Sequence, residues 1–336
     1  MTEHGRKCAG RVLLFALAAA FTILSVLAGF VFGSVRLEIS DIFGVITGGE
    51  YENTSKIILL ELRLPRVIAA MLAGAALATA GLLLQNATDN DLCSPNVIGV
   101  NAGAGFASMI CMCFFPAYFR FLPAAAFAGA LITTLCVLGI SFSARRSNTR
   151  ATVVLAGVAA GALLNSGISF LSQLYPDVLP SYAAFSAGGF TGIHTDELLI
   201  PSLMIAVGTA VAMLLAQRLN LLCLGDELAG SLGVRVKTVR FTAIATASLL
   251  CAAAVSFAGL LGFVGLIVPH MARRMAGNDM RVLIPFCCLC GGSLVVLSDL
   301  AARTLFMPAE LPAGILMAAL GAPFFLWLLL RKERTP

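Results

Sequence analysis

The chain has 336 residues, of which 59% are hydrophobic and only 12% are charged, and its mean hydropathy is +0.96. Soluble domains carry about 25% charged residues, so a water-soluble fold of this length would lack the polar surface to cover so much apolar mass. The formal net charge of +5 is small and does not indicate a nucleic-acid partner. The composition predicts a multi-pass protein in contact with membrane lipid.

Ten apolar segments approach the length that crosses a bilayer. A hydrocarbon core of about 30 Å needs about 20 apolar residues in a helix, and continuous rather than alternating apolar runs favour helices over strands. The eighth segment is short and nearly joins the seventh. The sequence predicts an all-α fold with one transmembrane domain over residues 1–336, spanning at about 12–32, 64–84, 97–115, 122–143, 152–173, 198–217, 239–258, 261–276, 282–302 and 312–330.

Lysine and arginine sort to one side of these spans. With the N-terminus in the cytoplasm, 16 of the 22 basic residues fall on the inner side and six on the outer side, which is the positive-inside pattern. The first apolar run exceeds the roughly 7–15 residues of a signal-peptide core, so we expect a retained span. These patterns predict a multi-pass membrane protein with both termini in the cytoplasm.

The sequence offers no catalytic constellation and predicts no metal site or cofactor. It lacks GxxxxGK[ST], and the dipeptide Gly-Lys is absent, so the chain cannot supply a P-loop for ATP. Asp299 is the main acid set well inside a predicted span, whereas a proton-coupled carrier usually shows a relay of such groups. Most of the ten cysteines lie in or beside apolar segments without zinc-like spacing, and they are interpreted as free thiols.

The segment 219–236, LNLLCLGDELAGSLGVRV, is too polar to span a bilayer and too prone to form a helix to be a plain linker. Gly225 and Gly233 bracket a short amphipathic turn and helix on the predicted inner side. Asp226 and Glu227 stand at the start of that helix, where acids favour the helix dipole. Leu228 and Leu232 form its apolar face. A membrane protein that exposes such a segment is expected to offer it to a partner as a coupling element.

Five motifs in order resemble the permeases that import iron-siderophore complexes, haem and vitamin B12, the FecCD-type permeases of type II ABC importers. The resemblance covers about residues 63–331. The motifs are RLPRVIAAMLAGAALATAGLLLQ at 63–85, SPNVIGVNAGAG at 94–105, LGDELAGSLGV at 224–234, GLLGFVGLIVPHMAR at 259–273 and AELPAGILMAALGAPFFLWLLLR at 309–331.

The resemblance implies a ten-helix permease with inverted repeats. It also implies a second permease copy, two cytoplasmic ABC ATPase subunits, and a periplasmic or lipid-anchored binding protein that delivers substrate. The membrane that the resemblance implies is the bacterial cytoplasmic (inner) membrane. Ala-Gly-Leu-Leu occurs at 80–83 and at 258–261. The predicted topology places the first copy toward the inner side and the second toward the outer side, as an inverted repeat would.

Three arginines are candidates for docking the binding protein. Arg63 and Arg66 open the second predicted span on the outer side, and Arg303 ends the ninth. In the family, the matching arginines meet acids of the binding protein, and guanidinium forks suit carboxylates. Arg63 and Arg66 could instead anchor the membrane interface. Arg303 could instead pair with Asp299, four residues earlier on the same helix. The acidic segment 33–62 could shape the docking rim or be a solvated loop.

Asn90 and Leu92 match positions that close the inner end of the pathway in relatives. Here Asp91 replaces the usual proline of an Asn-Pro-Leu run, and the rigidity that proline gives to a turn is lost. Either Asp91 or Asp89 could cap the next helix. An ordinary loop is the alternative to a gate.

The sequence therefore favours a non-enzymatic permease subunit that passes an iron-siderophore, haem or cobalamin-type chelate inward, using ATP hydrolysed on another chain. A stand-alone secondary carrier or channel is the alternative. A membrane enzyme is disfavoured because no nucleophile, base or metal constellation is present. Which chelate is carried, and whether the two permeases are identical, stay open.

Overall fold

The computed structural model describes residues 3–33, 35, 44, 53–143 and 149–332, and within those ranges it is helical without strands. Within the acidic segment 33–62, residues 34, 36–43 and 45–52 lie outside the described residues. The role of this segment at the docking rim therefore stays a prediction. The helices are α1 Glu3–Val31, α2 Asn53–Ile57, α3 Leu64–Thr88, α4 Val100–Phe114, α5 Leu122–Ser143, α6 Thr149–Leu174, α7 Leu179–Ala187, α8 Thr195–Leu222, α9 Asp226–Ser231, α10 Val236–Ala258, α11 Val264–Ala276, α12 Met280–Thr304 and α13 Ala313–Lys332.

Each of the ten predicted spans coincides with one of these helices. Among the described residues, seven helices are long and apolar enough to cross a membrane, and Val100–Phe114 and Ala313–Trp327 are shorter apolar helices. The eighth segment is shorter than predicted, because residues 259–263 are not helical and α11 begins at Val264. The backbone at Phe263 has a left-handed φ of 64°, which breaks the helical conformation between α10 and α11.

Two elements were not predicted. The second span was expected to open at Arg63, but a π-helical segment, Ile58–Arg63, joins α2 to α3 without a break. The continuous apolar helix therefore runs over Thr54–Thr88. The short helix α7 was also missed, since Leu179–Ala187 falls between the predicted spans 152–173 and 198–217. Pro176 begins a short 3₁₀ helix, Pro176–Val178, and Pro180 lies in the first turn of α7. A proline costs little at such positions, because the first N–H groups of a helix have no partner within the helix.

Helix α3 forms the centre of the bundle and packs against α10, α11 and α12. Glycines make this close approach possible. A Cβ on Gly74 would lie 2.1 Å from the carbonyl oxygen of Gly291 on α12, and a Cβ on Gly81 would lie 2.0 Å from that of Gly265 on α11. Without a hydrophobic driving force in lipid, such small-residue contacts are a main source of helix association.

Each end of the helix bundle contains a buried arginine that gives the end its name. The Arg63 end holds the start of α3 and the end of α12, and the Arg240 end holds the end of α3, α9 and the start of α10. The Ala-Gly-Leu-Leu at 80–83 lies toward the Arg240 end, and that at 258–261 lies at the Arg63 end where α10 finishes. The two copies thus lie toward opposite ends, as the predicted topology required.

We predict that Gly81→Ala destabilises the bundle by about 1–3 kcal/mol, because overpacking would force α3 away from the backbone of α11. Gly139→Ala on α5 is the matched control, since a Cβ there meets nothing within 4 Å. Thermal unfolding of the purified protein in detergent measures both. Equal melting temperatures for the two variants would contradict the role given to this contact.

Candidate functional site

A cavity of about 280 Å³ opens at the Arg63 end, between the start of α3, the end of α12 and residues 190–194. The three arginines predicted to dock a binding protein come together here although they are far apart in the chain. Acids and a histidine line the same cavity. Its charged and polar lining includes Glu61, Arg63, Arg66, His194, Arg303 and Glu310.

Arg63 is buried, with 4% of its surface exposed. Its guanidinium donates to the carbonyl oxygens of Phe30 at 2.9 Å and Val31 at 2.6 Å, and also to that of Val35. The first two carbonyls belong to the last turn of α1, whose orphan carbonyls need donors. Arg63 therefore ties the end of α1 to the start of α3, while its charge faces no carboxylate within hydrogen-bonding distance among the described residues.

Arg66 lies between two carboxylates. Its Nε and Nη2 donate to Asp299 at 3.0–3.1 Å, and its Nη1 donates to Glu310 Oε2 at 2.7 Å. This fork-on-carboxylate geometry is the strong form of an ion pair. Asp299 is almost fully buried, with 1% exposure, so its charge depends on these donors.

Arg303 reaches the same carboxylate from its own helix. Its Nε lies 3.2 Å from Asp299 Oδ2, which is an ion-pair distance without the alignment of a hydrogen bond. Its Nη2 donates to the carbonyl of Gly29 on α1 at 3.1 Å. The i, i+4 pairing considered for Arg303 is therefore present. Arg66 and Arg303 thus share the carboxylate of Asp299, and Arg66 also pairs with Glu310, whereas Arg63 contacts no carboxylate among the described residues.

At the Arg240 end, the predicted coupling segment contains the short helix α9, Asp226–Ser231, between two left-handed glycines. Gly225 has a φ of 100° and Gly233 a φ of 83°, conformations that favour glycine. Only the small side chain of Ala229 is buried within α9. The helix therefore stands on the bundle surface rather than in its core.

An apolar face is exposed along this segment. Leu224, Leu228 and Leu232 are 54–59% exposed, and the acid Glu227 is exposed beside them. Leu228 and Leu232 are one helical turn apart and so share a face. Three exposed leucines at a polar end of a membrane protein are typical of a surface that a partner covers.

The proposed gate turn follows α3 directly. Asp89 ends α3 in a left-handed conformation, with φ 52°. The side chain of Asn90 accepts a bond from the backbone N–H of Leu92 at 3.0 Å. The expectation that Asp89 or Asp91 caps the next helix is wrong. Helix α4 begins only at Val100, with Gly99 as its N-cap and no side-chain cap.

Asp91 instead forms an ion pair across the fold. Arg273 Nη1 on α11 donates to Asp91 Oδ1 at 2.9 Å and to Gln85 Oε1 at 2.6 Å. Gln85 in turn donates to the carbonyl of Gly265 at 3.1 Å. Asp91 therefore supplies a polar tie between this turn and α11.

In the sequence, Arg240 was only one of the 16 basic residues on the predicted inner side. In the structure it is buried at this end and connects two elements. It is 4% exposed, and its guanidinium bonds both the carboxylate of Asp226 and the carbonyl of Ala87. One signal in the sequence could have identified it, because Arg240 falls inside the predicted span 239–258. An ionisable residue within a span is a functional candidate by default.

Asp279 joins three helices at the same end. It caps α12, accepts a bond from Asn220 Nδ2 of α8 at 2.8 Å, and lies 4.0 Å from Arg11 of α1. The pKa of Asp279 is lowered mainly by the Asn220 hydrogen bond, against a smaller effect of burial. A lowered carboxyl pKa contributes stability at neutral pH that is lost as the pH falls through that pKa.

Solved structures place this arrangement in a class. The fold matches "An inward-facing conformation of a putative metal-chelate type ABC transporter" with a TM-score of 0.83 and 28% identity, over 95% of this chain and 99% of that chain. "PsaBC from Streptococcus pneumoniae in complex with Fab" matches with a TM-score of 0.58 and 17% identity, which supports the fold alone. The fold is that of a multi-pass permease subunit of an ABC importer.

Sequence comparisons give the family. The profile of the FecCD transport family matches residues 21–331. The chain is 34% identical over 326 residues to the Fe(3+)-citrate import system permease protein YfmE of Bacillus subtilis (strain 168), covering 96% of this chain and 95% of that protein. It is 34% identical over 322 residues to "Probable heme-iron transport system permease protein IsdF" of Staphylococcus aureus (strain Newman), covering 96% and 97%. The chain belongs to the FecCD transport family.

We predict that Arg303→Glu lowers stability by about 3–5 kcal/mol, because it removes one partner of a buried charge and adds a like charge beside Asp299. Arg120→Glu is the control, since Arg120 is exposed on the 3₁₀ turn Pro116–Phe121 at the same end. Membrane abundance and melting temperature in detergent are the measurements. A normal melting temperature for Arg303→Glu would show that the pair with Asp299 does not hold this end together.

Proposed function

We propose that the chain is the permease subunit of an ABC importer for an iron chelate or haem, working with separate ATPase subunits. The observation that carries this proposal is α9 with its exposed leucines, a surface-standing helix at one end of a membrane bundle. It is suited to seat in a groove on a partner, as amphipathic helices do. The chain itself supplies no P-loop, so the energy must come from that partner.

The assembly we propose contains two permease copies, two ABC ATPases and a periplasmic or lipid-anchored binding protein. The positive-inside count supports placing the Arg240 end in the cytoplasm and the Arg63 end outside. Residues Gly225–Gly233 would then meet an ATPase, and the turn with Asn90 and Leu92 would close the inner end of the path. Helix α3 spans the distance between the two ends and connects them physically.

The substrate class follows from the relatives. The name of one relative concerns Fe(3+)-citrate and that of another concerns heme-iron, and we extend an iron-chelate substrate to this chain. A cobalamin-type substrate, which the family resemblance also allows, would use the same assembly. Competition among these ligands for the cognate binding protein distinguishes them, since the binding protein presents the substrate to the permease.

We further propose that the cavity lined by Arg63, Arg66 and Arg303 receives an acidic side chain of the binding protein. The guanidiniums that line this cavity support the role, because guanidiniums bind carboxylates well and Arg63 contacts none among the described residues. Arg66 is the more accessible of the two arginines that pair with Asp299, with 11% of its side chain exposed against 3% for Arg303. Arg303 then acts mainly by holding Asp299 beside Arg66.

The central experiment reconstitutes permease and ATPase in proteoliposomes with binding protein and a ferric chelate. We expect no ATP hydrolysis by the permease alone, and ATP-dependent uptake by the complex. Leu232→Asp should lower uptake at least about tenfold, since a charge placed in an apolar contact opposes seating on the ATPase. Leu179→Asp is the control, because Leu179 is also exposed but lies at the start of α7 at the other end, outside the predicted spans. ATP-independent uptake by the permease alone would replace the proposal with a stand-alone carrier.

Charge reversal tests docking. Arg66→Glu should weaken association of the binding protein, most clearly at low salt, because charges at an interface steer and orient partners and are screened by salt. Affinity is measured in nanodiscs at two ionic strengths, with Arg120→Glu as the surface control. Reversal of the matching acid on the binding protein should restore part of the affinity. Unchanged affinity for Arg66→Glu would remove the cavity from the docking surface.

A further inference from the structure

Arg240 connects two elements that are far apart in the chain. It lies in the second turn of α10, and its Nη atoms donate to the two carboxylate oxygens of Asp226 at 2.9 and 3.2 Å. Its Nε donates to the carbonyl oxygen of Ala87 at 2.7 Å. Asp226 is the first residue of α9, and Ala87 is in the last turn of α3. One guanidinium therefore holds the start of the coupling helix and the end of the central helix.

The Ala87 carbonyl is among the last four of α3, which have no partner within their own helix. A cation is favoured there because the helix dipole is negative at this end. The chain leaves α3 two residues later at Asp89 and enters the proposed gate turn. A displacement of Ala87 is therefore passed directly to Asn90, whose own backbone N–H bonds to the carbonyl of Gln85 at 3.0 Å.

The link is stiff at its centre and movable at one edge. A guanidinium presents its donors in a rigid plane, and the Arg240 side chain is only 5% exposed, whereas the Asp226 side chain is 44% exposed. Helix α9 has one buried residue, Ala229, so little packing opposes a shift of the helix against the bundle. When α9 moves, the carboxylate of Asp226 pulls on a group that is also bonded to α3.

We infer that Arg240 is a positioning residue that transmits movement of the coupling helix to the gate turn at 89–92. This inference rests on the proposed function, since it requires an ATPase that moves α9. It assigns to Arg240 a task separate from contact with the ATPase, because its side chain is buried behind α9 and is bonded to the carbonyl of Ala87.

The test compares Arg240→Gln with Lys237→Gln, which removes a positive charge from an exposed position three residues earlier on α10. Both are reconstituted with the ATPase, binding protein and ferric chelate. The ratio of chelate imported to ATP hydrolysed should fall about tenfold in Arg240→Gln, a typical size for coupling between two sites. It should stay at the wild-type value in Lys237→Gln. Arg240→Lys should give an intermediate ratio, since a point charge cannot hold both partners.

Hydrogen exchange separates transmission from a purely structural role. In the wild-type complex, amide exchange over residues 86–93 should differ between the nucleotide-free and vanadate-trapped states. Arg240→Gln should abolish that difference. A purely structural role would instead raise exchange equally in both states and leave the difference in place, and that result would overturn the inference.

A second variant covers the possibility that Arg240→Gln does not fold. Asp226→Asn keeps the bond from Arg240 to Ala87 but weakens the tie to α9, and it should reduce the nucleotide-dependent difference at 86–93. A full difference in Asp226→Asn would also overturn the inference. Absence of ATP-driven import by the wild-type complex would instead refute the proposed function. Normal wild-type import with an unchanged import ratio in Arg240→Gln would refute the inference alone.

Discussion

A guanidinium that leaves water must find its acceptors inside the protein, and both ends of the central helix α3 are built around that requirement. At one end, Arg63 and Arg66 bond the last carbonyls of α1 and the buried carboxylate of Asp299. At the other end, Arg240 bonds the last turn of α3 and the first residue of α9. The same need for acceptors thus fixes α3 to its neighbours where packing alone is weakest, at the polar ends of the bundle.

Between those ends, glycine contacts bring α3 against α11 and α12. Gly74 and Gly81 face backbone carbonyls so closely that no side chain fits between them. Tight backbone packing makes the centre of the bundle respond as a unit, because interiors of this density deform in discrete steps rather than continuously. A shift at one end of α3 is therefore expected to reach the other end without being absorbed along the helix.

Asp91 determines how the turn after α3 is held. A proline would restrict the turn through its own ring. Asp91 is instead tied to α11 by Arg273, which also bonds Gln85 on α3. A turn held by an ion pair at the protein surface is sensitive to the position of α11, whereas a turn held by proline is not. Two arginines, Arg240 and Arg273, thus connect the end of α3 to α9, α10 and α11.

Much of the fold was available from local sequence. Apolar runs located the helices at all ten predicted spans, because a helix in lipid must satisfy its backbone by itself. Gly225 and Gly233 marked the bounds of α9, because left-handed backbone favours glycine. Positions of helices α2 and α7 and the start of α11 were missed. Helices α2 and α7 are short, and α11 begins after a break at Phe263. The positions of these elements depend on contacts with neighbouring helices rather than on apolar length.

The partners of the charged residues could not be obtained in the same way. The sequence determined that three arginines lie at one end of the predicted spans, because topology follows from apolar length and charge distribution. Only the tertiary structure decided that Arg66 meets Asp299, which is 233 positions away, and that Arg240 meets Ala87, which is 153 positions away. Such pairs depend on which helices pack side by side, and helix packing in lipid is set by small-residue contacts across the whole bundle that no local pattern records.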